Sequence, residues 1–160
     1  MSINKYIIAV LLIIISVFNL TGCRDYIKDN STLEEEPFFQ DRVVTVSITM
    51  TEKDWESLRT NATAKQYVKA DLSFDGKLIP DIAVRTKGNS SLMAVANTGT
   101  PRFGLRVDLD YYNPDCNLYG VNKLSFNNGF SDPTLIREFL GYELFKQMGV
   151  PTPRASFVDL

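Results

Sequence analysis

Histidine is absent from this 160-residue sequence. Its absence excludes Ser-His-Asp triads, Cys-His nucleophiles and histidine metal ligands within the chain. A basic excess is also missing, because 17 Lys and Arg against 19 Asp and Glu give a formal net charge of −2. Nucleic-acid-binding domains carry a marked basic patch, so we expect no nucleic-acid partner. The remaining composition, 44% hydrophobic and 22% charged, is that of a globular protein, and the length fits one domain.

Cysteine is scarce, and one of the two cysteines ends a targeting segment. Lys5 precedes a nearly continuous apolar run at 6–18, which is followed by Leu20-Thr21-Gly22-Cys23. This pattern predicts a signal peptide at 1–22. Leu-Thr-Gly-Cys resembles the lipobox of bacterial lipoproteins, which implies lipid on Cys23 and an extracytoplasmic protein anchored to the cell membrane. The alternative is an ordinary signal peptide or membrane anchor with a chance cysteine.

The second cysteine, Cys116, has no partner if Cys23 is lipidated. We therefore expect no internal disulfide and a fold that depends on its core alone. Residues 23–40 are polar and contain Glu34-Glu35-Glu36, which predicts an acidic flexible tether. The globular part should then cover 41–160.

Short alternating or apolar segments predict strands. Thr51 is a candidate cap for a short helix that contains Trp55 and Leu58. Asp75-Gly76 predicts a hairpin turn, because both residue types tolerate positive φ. The predicted strands lie at 43–49, 67–74, 78–86, 102–110 and 123–127, and a further one begins at 155–158.

One longer helix is predicted near the C-terminal end. Ser131 or Asp132 should cap it, Pro133 suits its first position, and Gly149 should end it. Its apolar residues share one face, and Glu143 points into that face, where it needs a partner. The expected fold is α+β: an antiparallel sheet with this one long helix packed on it. The apolar set is Leu135, Ile136, Phe139, Leu140 and Leu144.

Cations cluster on two strands that we expect to pair. Arg85 and Lys87 share one side of their strand, and Arg102 and Arg106 share one side of the next. Between them, the predicted long loop 88–101 offers backbone and hydroxyl donors to an anion, and phosphate suits guanidinium and lysine groups. The alternative is a solvated sheet face on which these cations pair with Asp81, Asp108 and Asp110.

Several blocks, in order and spacing, resemble the CotH family of spore-coat protein kinases. They are VRTKGNSS at 84–91, RFGLRVD at 102–108, YGVNKLSFNN at 119–128, SDP at 131–133 and MGVPTPR at 148–154. The resemblance runs from about Val43 to Leu160. It implies the N-terminal lobe of a kinase-like fold, with ATP and Mg²⁺ as cofactors. It also implies phosphorylation of serine in a coat or surface protein.

The resemblance also implies roles for individual residues. It places Lys87, Gly88, Asn89, Ser90 and Ser91 over the phosphates, with Arg85, Arg102 and Arg106 beneath them. Protein kinases also use a lysine on a strand that pairs with a glutamate on a helix. Lys123 has the right place in the chain order, and Arg106 could take the same role; the glutamate is Glu138 or Glu143, and both remain open.

The family's metal-binding and catalytic aspartates have no counterpart in this sequence. We therefore expect 41–160 to be the N-terminal lobe of a longer protein, with no catalytic residue, no metal ligand and no phosphoryl transfer of its own. The rival hypothesis is a surface or spore-coat assembly lipoprotein that uses the kinase-like scaffold without catalysis. A third, binding of a surface polyanion by the cation face, predicts retention that depends on salt.

Overall fold

A computed structural model of the chain describes residues 42–160. The predicted signal peptide at 1–22, the tether at 23–40 and the lipidation of Cys23 lie outside the described residues, so they stay predictions.

A six-stranded sheet forms the body of the described structure, and the α+β fold class is confirmed. The strand order is β5-β4-β3-β2-β1-β6. Neighbouring strands are antiparallel, except that β1 and β6 are parallel. The strands are β1 (Val44–Thr49), β2 (Val68–Phe74), β3 (Lys77–Lys87), β4 (Gly104–Asp108), β5 (Lys123–Phe126) and β6 (Val158–Asp159).

The hairpin between β2 and β3 forms where the sequence predicts it. Phe74 pairs with Lys77, which leaves Asp75 and Gly76 as a two-residue turn. Both turn residues have positive φ, 52° and 80°, as the tightest hairpin turns require. Further along β3, Asp81 also has positive φ, and the register with β2 shifts there. This bulge follows Pro80, which has no N–H to give to the ladder.

One face of the sheet carries the hydrophobic core. Ile82, Val84 and Val107 are fully buried on it, and burial of each such side chain contributes about 1.5–3 kcal/mol. Helix α1 (Glu52–Thr60) places Trp55 and Leu58 against this core. The Oγ1 atom of its N-cap residue, Thr51, accepts a hydrogen bond from the Asp54 N–H, as predicted.

Residues 88–101 are not the long loop that we expected. Nine of them form helix α2 (Ser90–Thr98), which buries Leu92 and Val95 and ends at Gly99 with φ of 72°. The sequence SSLMAVANT contains polar residues at its start, and their turn-forming tendency concealed the helix. Helix α2 packs beside the short 3₁₀ turn Ala62–Ala64.

Helix α3 (Arg137–Gln147) begins later than predicted. Ser131 and Leu135 both have positive φ, 58° and 59°, and such residues cannot belong to a right-handed helix. Asp132 nevertheless serves the helix start, because its Oδ2 accepts a hydrogen bond from the Arg137 N–H at 2.9 Å. The N-cap residue is Ile136, whose side chain makes no capping hydrogen bond, so the predicted cap at Ser131 or Asp132 and the predicted first position at Pro133 are wrong.

The end of α3 agrees with the prediction. The Gly149 N–H donates to the Lys146 carbonyl at 3.0 Å, and the Val150 N–H donates to the Phe145 carbonyl at 2.9 Å. These two bonds and the φ of 75° at Gly149 make a Schellman motif, which satisfies carbonyls that the helix leaves without partners.

The prediction that α3 packs on the sheet is wrong, as is the description of one long helix. Helix α3 has eleven residues, only two more than α1 or α2, and none of its residues is buried. Leu140 and Leu144 are 54% and 57% exposed. Its anchors include an aromatic contact between Phe139 and Phe157, with ring centroids 4.9 Å apart. The amphipathic pattern therefore marks an apolar face that the described residues do not cover. Within residues 42–160, no helix is both long and apolar enough to cross a membrane.

Cys116 corrects a further expectation. Its side chain is 1% exposed and disulfide-bonded, whereas the sequence predicts a chain without an internal disulfide.

We expect opposite effects from alanine at two glycines of the α3 region. Gly149→Ala forces a Cβ into the left-handed region, at a cost of about 1 kcal/mol, whereas Gly141→Ala adds a good helix former within the helix and stabilises it by a similar amount. Hydrogen exchange should show about fivefold less protection of the α3 amides in the first variant and more in the second. Equal effects of both substitutions would show that the left-handed conformation of Gly149 does not govern the end of the helix.

The state of Cys116 can be measured together with that of Cys23. The sequence has two cysteines, so a lipid thioether on Cys23 and a disulfide between the two exclude each other within one chain. From the disulfide at Cys116 we expect no free thiol when the protein is denatured without reductant and alkylated, as read by peptide mass spectrometry. An alkylated Cys116 peptide would instead support lipidated Cys23.

Candidate functional site

The pairing of β3 with β4 places three cations on the sheet face opposite the core. Arg85 lies directly across from Arg106, and Lys87 lies across from Gly104. Directly opposed residues of antiparallel strands project from the same side of a sheet. We call Arg85, Lys87 and Arg106 the cation face; all three are half-buried.

Arg85 is positioned by its own strand and by an aromatic ring. Its Nη1 donates to the Thr86 carbonyl at 3.0 Å. The guanidinium carbon lies 5.4 Å from the centroid of the Tyr67 ring, a cation–π distance. The Tyr67 hydroxyl in turn donates to Asp108 Oδ2 at 3.1 Å. These contacts fix the stem of Arg85 and leave most of its five N–H donors available.

Lys87 reaches across β4 to a side chain beyond β5. Its Nζ donates to the Asn127 Oδ1. Burial lowers the pKa of Lys87; the Glu138 carboxylate opposes this effect, and Arg106 adds to it. A second cation and partial burial therefore raise the free energy of the charged lysine, which an anion bound at the cation face would lower.

The contacts of Lys87 continue into α3. The Asn127 Nδ2 donates to Glu138 Oε2, and the Tyr142 hydroxyl donates to Glu138 Oε1 at 2.7 Å. This hydrogen bond is the largest of the effects that raise the pKa of Tyr142. The structure thus places Glu138, of the two candidate glutamates, near a lysine of the cation face. Glu143 lies instead 3.9 Å from Lys146.

Lys123 contacts an aspartate of the sheet and not a glutamate of α3. It pairs with Asp108 in the register, and its Nζ lies 3.6 Å from Asp108 Oδ2. Asp108 is 6% exposed, and its Oδ1 atom has no hydrogen-bond partner. Contacts with Asp108 and with the Asn122 amide lower the pKa of Asp110.

Arg102 does not join the cation face. It lies before β4 and is exposed, and its carbonyl accepts a hydrogen bond from Asn128 Nδ2 at 2.9 Å. Its surroundings form a shallow cavity of about 380 Å³ with Gly129, Ser131, Asp132, Pro133 and Leu135. A larger cavity, about 480 Å³, lies at the C-terminal end of α3, and Glu143 is the one predicted site residue that lines it.

The predicted phosphate-covering residues form a turn and the start of α2. Gly88 has φ of 106°, and a Cβ there would lie 2.7 Å from Ser91 Oγ, so no larger residue fits without a shift. The Asn89 Oδ1 accepts a hydrogen bond from Lys65 Nζ at 2.7 Å. Ser90 and Ser91 begin α2, where backbone N–H groups lack helical partners.

Three contributors to this network were missed in the sequence: Gly104, Asn127 and Tyr142. Asn127 is the last residue of the predicted strand at 123–127. Tyr142 lies four residues after Glu138, so helical spacing alone could have linked Tyr142 to Glu138. Nothing in the sequence pairs Asn127 with Lys87, because that contact spans 40 residues and a third strand. Among residues 42–160, no group of three or more Asp, Glu, Cys or His side chains could hold a metal ion.

Comparison with known families agrees with these blocks. Residues 84–160 match the family model described as CotH kinase protein. This part of the chain is similar to CotH kinase proteins. No curated protein matches the chain. The matched residues, 84–160, contain the whole cation face together with Asn127 and Glu138, whereas β1, α1 and β2 lie before them.

Substitution of Asp108 tests which contacts stabilise this buried carboxylate, its hydrogen bond with Tyr67 or its ion pair with Lys123. Asp108→Ala removes the acceptor of the Tyr67 hydroxyl and the partner of Lys123, so we expect the free energy of unfolding in urea to fall by about 1–3 kcal/mol. Asp108→Asn keeps an acceptor and provides an N–H for Asp110, and it should stay within about 1 kcal/mol of the wild type. Equal losses in both variants would show that the charge of Asp108, and not its hydrogen bonding, is what stabilises this region.

Proposed function

We propose that the complete protein transfers phosphate from ATP to serine of a coat or surface protein, and that the cation face binds the ATP phosphates. The observation that carries the proposal is the link from Lys87 through Asn127 to Glu138 on a helix. Protein kinases use a strand lysine and a helix glutamate to position phosphates. In this proposal Lys87 has that role, in place of Lys123.

The charges of the cation face support a polyphosphate ligand. Arg85 and Arg106 lie on adjacent strands and directly face each other in the register, so their like charges repel until an anion lies between them. Guanidinium groups hold phosphate oxygens in pairs, and Lys87 adds a point charge two residues along β3. Bound phosphate would thus relieve this repulsion, and also the repulsion of the Lys87 ammonium by Arg106, which adds to burial in lowering the pKa of Lys87.

The turn from Gly88 to Ser91 supports the same ligand. The first N–H groups of α2 lack helical acceptors, and the positive end of a helix favours anions. We propose that this turn covers the phosphates, as the family resemblance implies. Arg102 has a supporting position at most, since it lies before β4 in the shallow cavity.

The described residues do not fit a metal site. Residues 42–160 hold no set of three metal-type ligands, so we assign no Mg²⁺ ligand and no catalytic base to them. In the proposal those groups belong to other parts of the complete protein. The extracytoplasmic location is part of the proposal as well, and a lipid on Cys23 belongs to it only if alkylation finds Cys116 as a free thiol.

A second candidate function has its own supporting observation. On helix α3, Leu140, Leu144 and Phe145 are each about half exposed to solvent. Exposed apolar surface of this kind is typical of protein contacts. A non-catalytic role in surface or coat assembly would use this face, with the kinase-like scaffold retained and without ATP.

Titration of the complete protein with Mg-ATP separates the two functions. We expect calorimetric binding that Arg85→Ala and Arg106→Ala each weaken about tenfold or more, through loss of charge-assisted hydrogen bonds. Arg59→Ala is the matched control, because Arg59 lies on α1 and contacts Glu56. An absence of binding in the wild type would refute the ATP proposal and favour the assembly role. Equal loss in all three variants, with strong salt dependence and no nucleotide preference, would favour polyanion binding.

A further inference from the structure

The side chain of Asn127 links the end of β3 to the start of α3. Lys87 ends β3, Asn127 follows the end of β5, and β4 lies between these strands in the sheet. The Lys87 side chain therefore crosses β4 before its Nζ reaches Asn127 Oδ1. From Asn127 the contact continues to Glu138 in the first turn of α3.

Gly104 opens the path across β4. It is the residue that pairs with Lys87, and a Cβ at this position would lie 3.2 Å from Lys87 Cγ and 3.4 Å from the Phe126 carbonyl oxygen. The first contact is closer than normal van der Waals separation, whereas the second is at its lower limit. A side chain at position 104 would therefore displace the lysine stem by a few tenths of an ångström.

The amide of Asn127 suits its two neighbours because they have opposite charges. Its carbonyl oxygen accepts from an ammonium group, and its NH₂ group donates to a carboxylate. The reverse orientation would point N–H at N–H and oxygen at oxygen, so the charges fix the orientation of the amide. Aspartate at this position would accept from Lys87 but repel Glu138.

Both carboxylate oxygens of Glu138 are engaged. Oε2 accepts from Asn127, and Oε1 accepts from the Tyr142 hydroxyl at 2.7 Å. Each oxygen could accept a further hydrogen bond, so the position of Asn127 between the two groups, and not saturation of the carboxylate, separates Lys87 from Glu138. Since the lysine uses one of its three donors on Asn127, two remain for a ligand.

Charged groups of both signs lie near Lys87. Glu138 stabilises its charge from behind the amide, and Arg106 and Arg85 share its sheet face. A lysine in a direct ion pair has its charge largely neutralised by its partner. The intervening amide keeps the glutamate at a distance and leaves net positive charge for an anion.

We propose that Asn127 is a positioning residue, whose amide holds the Lys87 ammonium beside Arg106 and couples it to α3 in place of a direct lysine–glutamate ion pair. The proposal rests on the phosphate-binding function proposed above for the cation face. Asn127 acts through Lys87 and has no chemical step of its own. Gly104 leaves room for the Lys87 side chain to cross β4, and Tyr142 holds the Glu138 carboxylate by a hydrogen bond.

The pKa of Lys87 tests this role without any nucleotide. It can be followed by NMR of the ¹³Cε nuclei in lysine-labelled protein, with the signal assigned from Lys87→Arg. We expect Asn127→Asp to raise the pKa of Lys87 by about one unit, because a carboxylate replaces the amide oxygen. Asn127→Ala should shift it in the opposite direction, because the ammonium loses its acceptor.

The matched control is Asn128→Asp, which adds the same charge one residue away. Asn128 donates to the Arg102 carbonyl and is not bonded to Lys87, so its substitution should shift that pKa by about half a unit or less. Opposite shifts for Asp and Ala at position 127, with a small shift at 128, support the proposal. Equal shifts in Asn127→Asp and Asn128→Asp, or none at 127, would overturn it.

Nucleotide binding gives a second, separable readout. If the wild type binds Mg-ATP, Asn127→Asp should weaken that binding about tenfold, because the new carboxylate pairs directly with Lys87 and largely neutralises its charge. Unchanged affinity would overturn the positioning role. If the wild type binds no Mg-ATP, the proposed kinase function fails, and the pKa comparison still decides whether Asn127 positions Lys87.

Discussion

Antiparallel pairing of β3 with β4 is the constraint on which the rest of the structure depends. The same register that buries Val84 and Val107 on one face places Arg85 opposite Arg106 on the other. A slip of one residue would exchange the two faces, so burial of the core fixes the cations where they are. The positions of the charges are thus a consequence of hydrophobic burial. The free energy gained by burying the core side chains of the sheet offsets the repulsion between Arg85 and Arg106.

Local chemistry in the sequence was enough to predict much of the sheet. The alternation of β1 and the Asp75-Gly76 turn predicted elements that the structure confirms, because each is decided by neighbours in the chain. Pairing of the two arginine-bearing strands could also be anticipated, since they are consecutive in the predicted order. Helix α2 was missed because Ser90 and Ser91 at its start are typical of turns, whereas burial of Leu92 and Val95 decides the helix.

The sequence predicted only the part of the candidate site that follows from which strands pair, namely the arginines of β3 and β4. Spacing could not identify the lysine that faces the α3 glutamate, because Lys87 reaches Asn127 through a gap that the small size of Gly104 provides. The same limit applies to α3. Periodicity identifies which helix residues are apolar, but it does not identify what covers them, and in residues 42–160 they stay exposed.

The weak attachment of α3 bears directly on the cation face. None of its residues is buried, so contacts such as Asn127 with Glu138 and Phe139 with Phe157 set its position more than any shared core does. A helix held by few contacts moves at low energetic cost. Because Glu138 moves with the helix, the field at Lys87 depends on where α3 lies, and burial of the α3 apolar face would therefore also fix the charge environment of the lysine.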